Sequence, residues 1–139
     1  MTVDDWEFNA LRLLQEQALE RSTRMKGKSE RTIEVYKKCG AEMRLLKTLA
    51  MRTLIDTSAI LGAVERDRFS RCLDDLSLIC CKAEERMFRD HPELPDEYID
   101  IFYGTTEGEP RHELDREILD MARAAAQELA SEGGKNAPD

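Results

Sequence analysis

The first ninety residues contain no proline, and only Gly27, Gly40 and Gly62 supply glycine there. Proline and glycine are the strongest local breakers of regular structure, so their scarcity disfavours a turn-rich β architecture. We find no alternating apolar–polar stretch and no internal repeat, which argues against half-buried strands and solenoids. The sequence therefore predicts an all-α protein built from long helices.

Long hydrophobic runs are also missing. The longest nearly apolar run, residues 54–64, contains Asp56 and is far shorter than the roughly 18 residues that span a bilayer. The first residues are acidic where a secretory signal would be basic and then apolar. Four cysteines without an export signal are typical of reduced thiols. These features predict a cytoplasmic protein that does not enter a membrane.

Residues that commonly carry catalysis are scarce. The chain has two histidines, no nucleophile elbow and no glycine-rich phosphate loop. Cys80 and Cys81 are adjacent and point about 100° apart on a helix, unlike the spaced cysteine pairs of structural zinc sites. The sequence thus predicts no enzyme activity, no cofactor and no metal, with the cysteines acting as small apolar residues.

Apolar residues recurring at spacings of three and four predict a helical bundle of three long helices, a short helix and a C-terminal amphipathic helix. We expect one domain over residues 1–132 and a disordered tail over residues 133–139. The first helix is expected over residues 3–24. Ser29 is the expected N-cap of the second helix. That helix could end at residues 56–58 or at residues 62–67, and we favour the later site because residues 54–64 are so apolar.

Proline and glycine residues mark the expected helix ends more clearly in the C-terminal third of the chain. The third helix should end before Pro92, because the residue preceding a proline avoids the α conformation. Pro95 should open the short helix, residues 104–110 should form a loop, and Pro110 should lie in the first turn of the last helix. The last helix is expected to stop at Gly133.

Charge is distributed unevenly along the chain. Residues 21–53 carry ten basic and three acidic side chains, whereas residues 92–139 carry four basic and thirteen acidic ones. This basic segment could contact an acidic protein surface, this chain's own acidic region, or a nucleic-acid backbone. We favour contact with an acidic protein surface or with this chain's own acidic region over nucleic acid, because the whole chain is acidic, with a pI of about 4.9. The short aromatic segment over residues 98–103 must dock on another surface, and with the third helix it predicts a homodimer. The predicted binding residues are Arg24, Lys26, Lys28, Arg31, Lys37, Lys38, Arg44, Tyr98, Phe102 and Tyr103.

Residues 86–91 read Arg-Met-Phe-Arg-Asp-His. This stretch resembles the arginine–histidine signature of HEPN-type helical ribonucleases, which carry it at a dimer interface in a small helical bundle. The resemblance implies that Arg86 and His91 form a catalytic pair. A helix C-terminus, whose dipole favours basic side chains, explains the same residues without catalysis.

Residues 29–36 read Ser-Glu-Arg-Thr-Ile-Glu-Val-Tyr. This stretch is similar to the opening of the helical core-binding domain of tyrosine recombinases, and the similarity implies DNA contact by the basic segment. A capped amphipathic helix gives the same pattern, and no recombinase catalytic domain follows. From the sequence we therefore expect a non-catalytic protein–protein interaction module, acting as an adaptor, an inhibitor or an assembly subunit. A nucleic-acid-associated module and a HEPN-like ribonuclease are the alternatives.

Overall fold

The computed structural model describes residues 3–22 and 25–135 of the 139-residue chain. It contains four long helices, α1 (Val3–Ser22), α2 (Ile33–Thr57), α3 (Ala63–Asp90) and α4 (Glu113–Lys135), and two 3-10 helices, Lys28–Glu30 and Asp96–Ile101. No strand occurs in these ranges. The predicted all-α helical bundle is confirmed. No helix that the structure describes is both long and apolar enough to cross a membrane.

The chain divides into two compact units, Met1–Glu30 and Arg31–Asp139. In the first unit, α1 ends at Ser22 rather than at the expected residue 24, and Arg24 lies outside the described residues. No side chain over residues 5–20 is buried, and Trp6, Phe8 and Leu19 are each more than 60% exposed. An ion pair between Arg12 and Glu16, one turn apart, lies on this helix.

In the second unit, α2 begins later than expected. Its N-cap is Thr32, whose hydroxyl accepts a hydrogen bond from the backbone N–H of Val35. Ser29 lies instead in the 3-10 helix Lys28–Glu30, so the prediction of a Ser29 N-cap was wrong. Both residues are good caps, but a second capping candidate three positions later allowed the chain one extra turn before α2.

The favoured position of the α2–α3 turn was also wrong. α2 ends at Thr57 and α3 begins at Ala63, with Gly62 at its N-cap. The hydroxyls of Thr57 and Ser58 donate to carbonyl groups of the last turn of α2, so side chains satisfy the helix end. The apolar run over residues 54–64 is not buried, because it forms the end of this helical hairpin.

After α3 the predictions hold more closely. α3 ends at Asp90, before Pro92 as predicted, and the short helix begins after Pro95 as a 3-10 helix. The loop contains Gly104 and Gly108, both with positive φ. Pro110 precedes α4 rather than lying in its first turn, and α4 runs past Gly133 to Lys135. Residues 136–139 of the expected tail lie outside the described residues.

The core of the second unit lies where α2, α3, α4 and the 3-10 helix Asp96–Ile101 meet. Met87, Ile101, Ile118 and Ala122 are fully buried there. α2 approaches the 3-10 helix so closely at Gly40 that an added Cβ would lie 2.7 Å from the Ile101 carbonyl oxygen. Glycine is therefore required at position 40 for this packing.

Candidate functional site

Arg31 and Tyr36 form a charged cluster with Asp90. The Arg31 guanidinium donates two hydrogen bonds to the Asp90 carboxylate, at 2.7 and 2.9 Å, and the Tyr36 hydroxyl donates a third at 2.5 Å. These hydrogen bonds hold the pKa of Asp90 well below its ordinary value, and the largest contribution comes from Arg31. The cluster joins the start of α2 to the end of α3, so Arg31 serves an internal contact.

Arg44 makes the most deeply buried ion pair described. Its guanidinium lies 2.8 Å from the Asp115 carboxylate, and both side chains are at most 4% exposed. Burial raises the pKa of Asp115, but hydrogen bonds from the Arg111 backbone N–H and from Arg44 outweigh it, so the pKa is lowered overall. The predicted binding residue Arg44 therefore fixes α2 to α4.

Further basic residues of α2 also bond within the second unit. The Lys37 ammonium group donates to both carboxylate oxygens of Glu117, at 3.0 and 3.2 Å. Lys47 donates to the Phe102 carbonyl at 2.7 Å, and Arg52 lies 3.4 Å from Glu107. Three of the ten basic residues of the segment, Lys37, Arg44 and Arg52, thus pair with the acidic C-terminal region of the same chain, which is one of the three uses that the charge pattern allowed.

The other predicted binding residues differ in how exposed their side chains are. Lys26, Lys28 and Lys38 are exposed, and Arg24 lies outside the described residues. In the aromatic segment Phe102 is 2% exposed and Tyr98 is half-buried, whereas Tyr103 is 60% exposed with Arg111 stacked over its ring at 5.0 Å. The structure thus places Phe102 in the core and leaves Tyr103 exposed.

The arginine–histidine stretch lies at the end of α3. Arg86 is exposed. His91 is the C-cap of α3, and its Nε2 lies 2.8 Å from the Arg31 carbonyl oxygen. Because that carbonyl only accepts, Nε2 must carry the proton and donate, which fixes the neutral tautomer. The remaining ring nitrogen, Nδ1, is 3.9 Å from the exposed carboxylate of Glu93.

A cavity of about 390 Å³ lies between α2, α3 and the loop after the 3-10 helix. Its walls include Lys47, Cys80 and Glu84. Burial lowers the pKa of Lys47 and raises the pKa values of the Cys80 thiol and of Glu84, so each group is shifted toward its neutral form. Within the described ranges no group of histidine, cysteine or acidic side chains could hold a metal ion.

The hairpin, which we define as residues 49–79, is the largest feature that the sequence reasoning missed. None of its 31 residues is buried. It nevertheless exposes seven large apolar side chains, at 44% or more of their area: Leu49, Met51, Ile55, Ile60, Val64, Leu78 and Ile79. The available signal was the unusual concentration of apolar residues over 54–64, which we interpreted as burial.

The chain that follows α3 explains why the hairpin is uncovered. The Thr106 hydroxyl lies 2.9 Å from that of Thr48, and Glu107 contacts Arg52. Beyond these contacts the chain turns back into α4, and Met51 and Ile55 of α2 stay 47% and 67% exposed. The hairpin therefore presents helix faces that an ordinary bundle would bury.

Comparisons of this chain with protein-family models, with characterised proteins and with solved structures gave no match. A functional assignment therefore depends on the contacts described above.

Proposed function

We propose that the protein is a non-catalytic helical interaction module, acting as an adaptor, an inhibitor or an assembly subunit, and that the hairpin is its contact surface. The observation that carries this proposal is the absence of any buried residue over 49–79 beside seven exposed large apolar side chains. Monomeric soluble proteins rarely expose large contiguous apolar patches without an interaction to serve. Self-association is one form of this function. A cytoplasmic location is proposed with it, supported by four free cysteines.

The energetics support the hairpin as a contact surface. Covering apolar surface stabilises an assembly by roughly 25 cal/mol for each Å² removed from water. Side chains such as Ile55 and Ile60 are 67% and 81% exposed, so most of this stabilisation is unused in the single chain. An amphipathic helix or a second hairpin would supply the missing layer.

The basic residues support a protein partner over a nucleic acid. A phosphate backbone needs lysine and arginine side chains that are free to replace counterions. Arg31, Lys37 and Arg44 are instead bonded to carboxylates of α3 and α4, and Lys47 to a backbone carbonyl. Contact with nucleic acid would depend on the smaller exposed set that includes Lys28 and Lys38.

His91 makes a structural contact that accounts for its place at the end of α3. A general base must offer a free ring nitrogen to the proton that it removes. The Nε2 atom of His91 is bonded to the Arg31 carbonyl. Catalysis with Arg86 would have to use Nδ1 alone or break this contact.

The decisive experiment is affinity capture of the full chain from native lysate, with and without nuclease. We expect Ile55→Asp to lose the captured proteins. Ile99→Asp, which places the same charge at an exposed apolar position in the 3-10 helix Asp96–Ile101, outside the hairpin, should retain them. Both variants should keep the helical circular dichroism of the parent.

Two results would replace this proposal. Partners that disappear after nuclease treatment would favour the nucleic-acid module. Cleavage of single-stranded RNA by purified protein, lost in both Arg86→Ala and His91→Ala, would establish the ribonuclease.

A further inference from the structure

One exposed stripe on α3 is self-complementary. It consists of residues spaced by four, three, four and three positions, which is the spacing of one face of a helix. Its members are Val64, Arg68, Arg71, Asp75 and Leu78, with Ile79 beside the last. All six are exposed, so the stripe offers a continuous surface of about four helical turns.

The order of chemistries along this stripe is apolar, basic, acidic and apolar. Arg68 and Asp75 make no side-chain hydrogen bond or ion pair with any other residue that the structure describes, whereas Arg71 already pairs with Asp67 at 2.8 Å. The stripe thus contains one unpaired charge of each sign, flanked by Val64 at one end and by Leu78 and Ile79 at the other.

From this arrangement we propose that two copies of the chain pair through α3 in an antiparallel, two-fold symmetric arrangement, with Arg68 opposite Asp75 of the second copy. The same offset places Val64 opposite Ile79 of the second copy, so apolar ends meet apolar ends. Two-fold symmetry forms each of these contacts twice. This inference rests on the proposed interaction function and names its partner as the chain itself.

Charge selects the antiparallel direction. In a parallel pair with the two stripes in register, Arg68 would face Arg68 and Asp75 would face Asp75. Juxtaposed like charges are unfavourable and suppress such pairing. The midpoint of the antiparallel contact lies between Arg71 and Cys72, so the two Arg71 side chains meet near the two-fold axis, and each is neutralised there by Asp67 of its own chain.

The proposal is tested by reversing charge in the full chain and measuring sedimentation equilibrium over a micromolar concentration series. Arg68→Asp and Asp75→Arg should each weaken the dimer about tenfold, because symmetry converts two attractive contacts into two repulsive ones. The double variant, Arg68→Asp with Asp75→Arg on the same chain, should recover affinity to within about threefold of the parent, because both pairs are restored with reversed sign.

Arg66→Asp is the matched control, since it reverses another exposed arginine that lies on a different side of α3. It should leave the dimer unchanged, whereas Ile79→Asp should abolish it. A parent chain that remains monomeric at several hundred micromolar would overturn the antiparallel pairing. So would a dimer in which the double variant is weaker than either single one. A monomer that still captures another protein through Ile55 would leave the interaction function in place, so the two failures are distinguishable.

Discussion

The hairpin and the packed region, by which we mean residues 31–48 and 80–122, share the helices α2 and α3, but the packed region also includes the 3-10 helix Asp96–Ile101 and the first part of α4. Every buried residue that the structure describes lies in the packed region, and none lies in the hairpin. The difference does not come from apolar content, because the hairpin is rich in leucine, isoleucine and valine. It comes from the elements packed against α2: α4 and the 3-10 helix Asp96–Ile101 contact this helix. The hydrogen bond between the Thr48 and Thr106 hydroxyls lies at the boundary with the hairpin.

The comparison predicts its largest effect at the buried ion pair. Arg44→Met would leave the Asp115 carboxylate buried with its main charge partner removed. Breaking a buried pair on one side costs about 3–5 kcal/mol, so urea denaturation should show a loss of this size. Arg71→Met removes an exposed partner from the Arg71–Asp67 pair in the hairpin and should cost less than about 1 kcal/mol. Equal losses in the two variants would contradict the division into two regions.

Truncation of apolar side chains should separate the regions again. Met87 is fully buried, and Met87→Ala should lower the free energy of unfolding by about 2–5 kcal/mol because it leaves a cavity. Ile55 is 67% exposed, and Ile55→Ala should change the free energy of unfolding by less than about 0.5 kcal/mol. Both are best measured at low micromolar concentration, where self-association contributes least. A large loss for Ile55→Ala under those conditions would show that the hairpin is covered within the single chain.

Close packing at Gly40 predicts an intermediate effect. An added methyl group would meet the backbone of Ile101, so Gly40→Ala should destabilise the packed region by about 1–3 kcal/mol despite the higher helix propensity of alanine. Gly62→Ala, at the N-cap of α3 in the hairpin, meets only the end of the flexible Glu65 side chain and should cost less. Thermal unfolding of the two variants gives the comparison directly.

Acid sensitivity should come from the packed region. The pKa values of Asp90 and Asp115 are lowered in the folded chain, by hydrogen bonds from Arg31 and Tyr36 in one case and from Arg111 and Arg44 in the other. A lowered folded-state pKa contributes stability that is present above the unfolded value of about 3.9 and is lost as pH falls below it. We therefore expect the urea midpoint to be nearly flat from pH 7 to pH 5 and to fall below about pH 4. Asp90→Asn should show a smaller fall over the same range.

The sequence was sufficient for the elements that depend on local chemistry. The α3 terminus before Pro92 and the helical character of the long segments follow from helix breakers and apolar spacing, and the structure has them. The turn over residues 58–62 was misplaced because we assumed that an apolar run is buried, and burial depends on elements distant in the chain. The pairing of Arg31 with Asp90 and of Arg44 with Asp115 joins residues 59 and 71 positions apart, which charge counting alone does not specify.

The Arg31–Tyr36–Asp90 cluster also bears on the order in which the helical pair opens. It fastens the first turn of α2 to the last turn of α3, so the two helices are joined by this cluster at one end and by the turn over residues 58–62 at the other. Local opening draws on the segments with the fewest buried contacts. Backbone amide protons should accordingly exchange with deuterated solvent fastest near Ile60 and progressively more slowly toward Tyr36 and Met87. Local opening of the helical pair would then begin at the turn and reach the buried ends of α2 and α3 last.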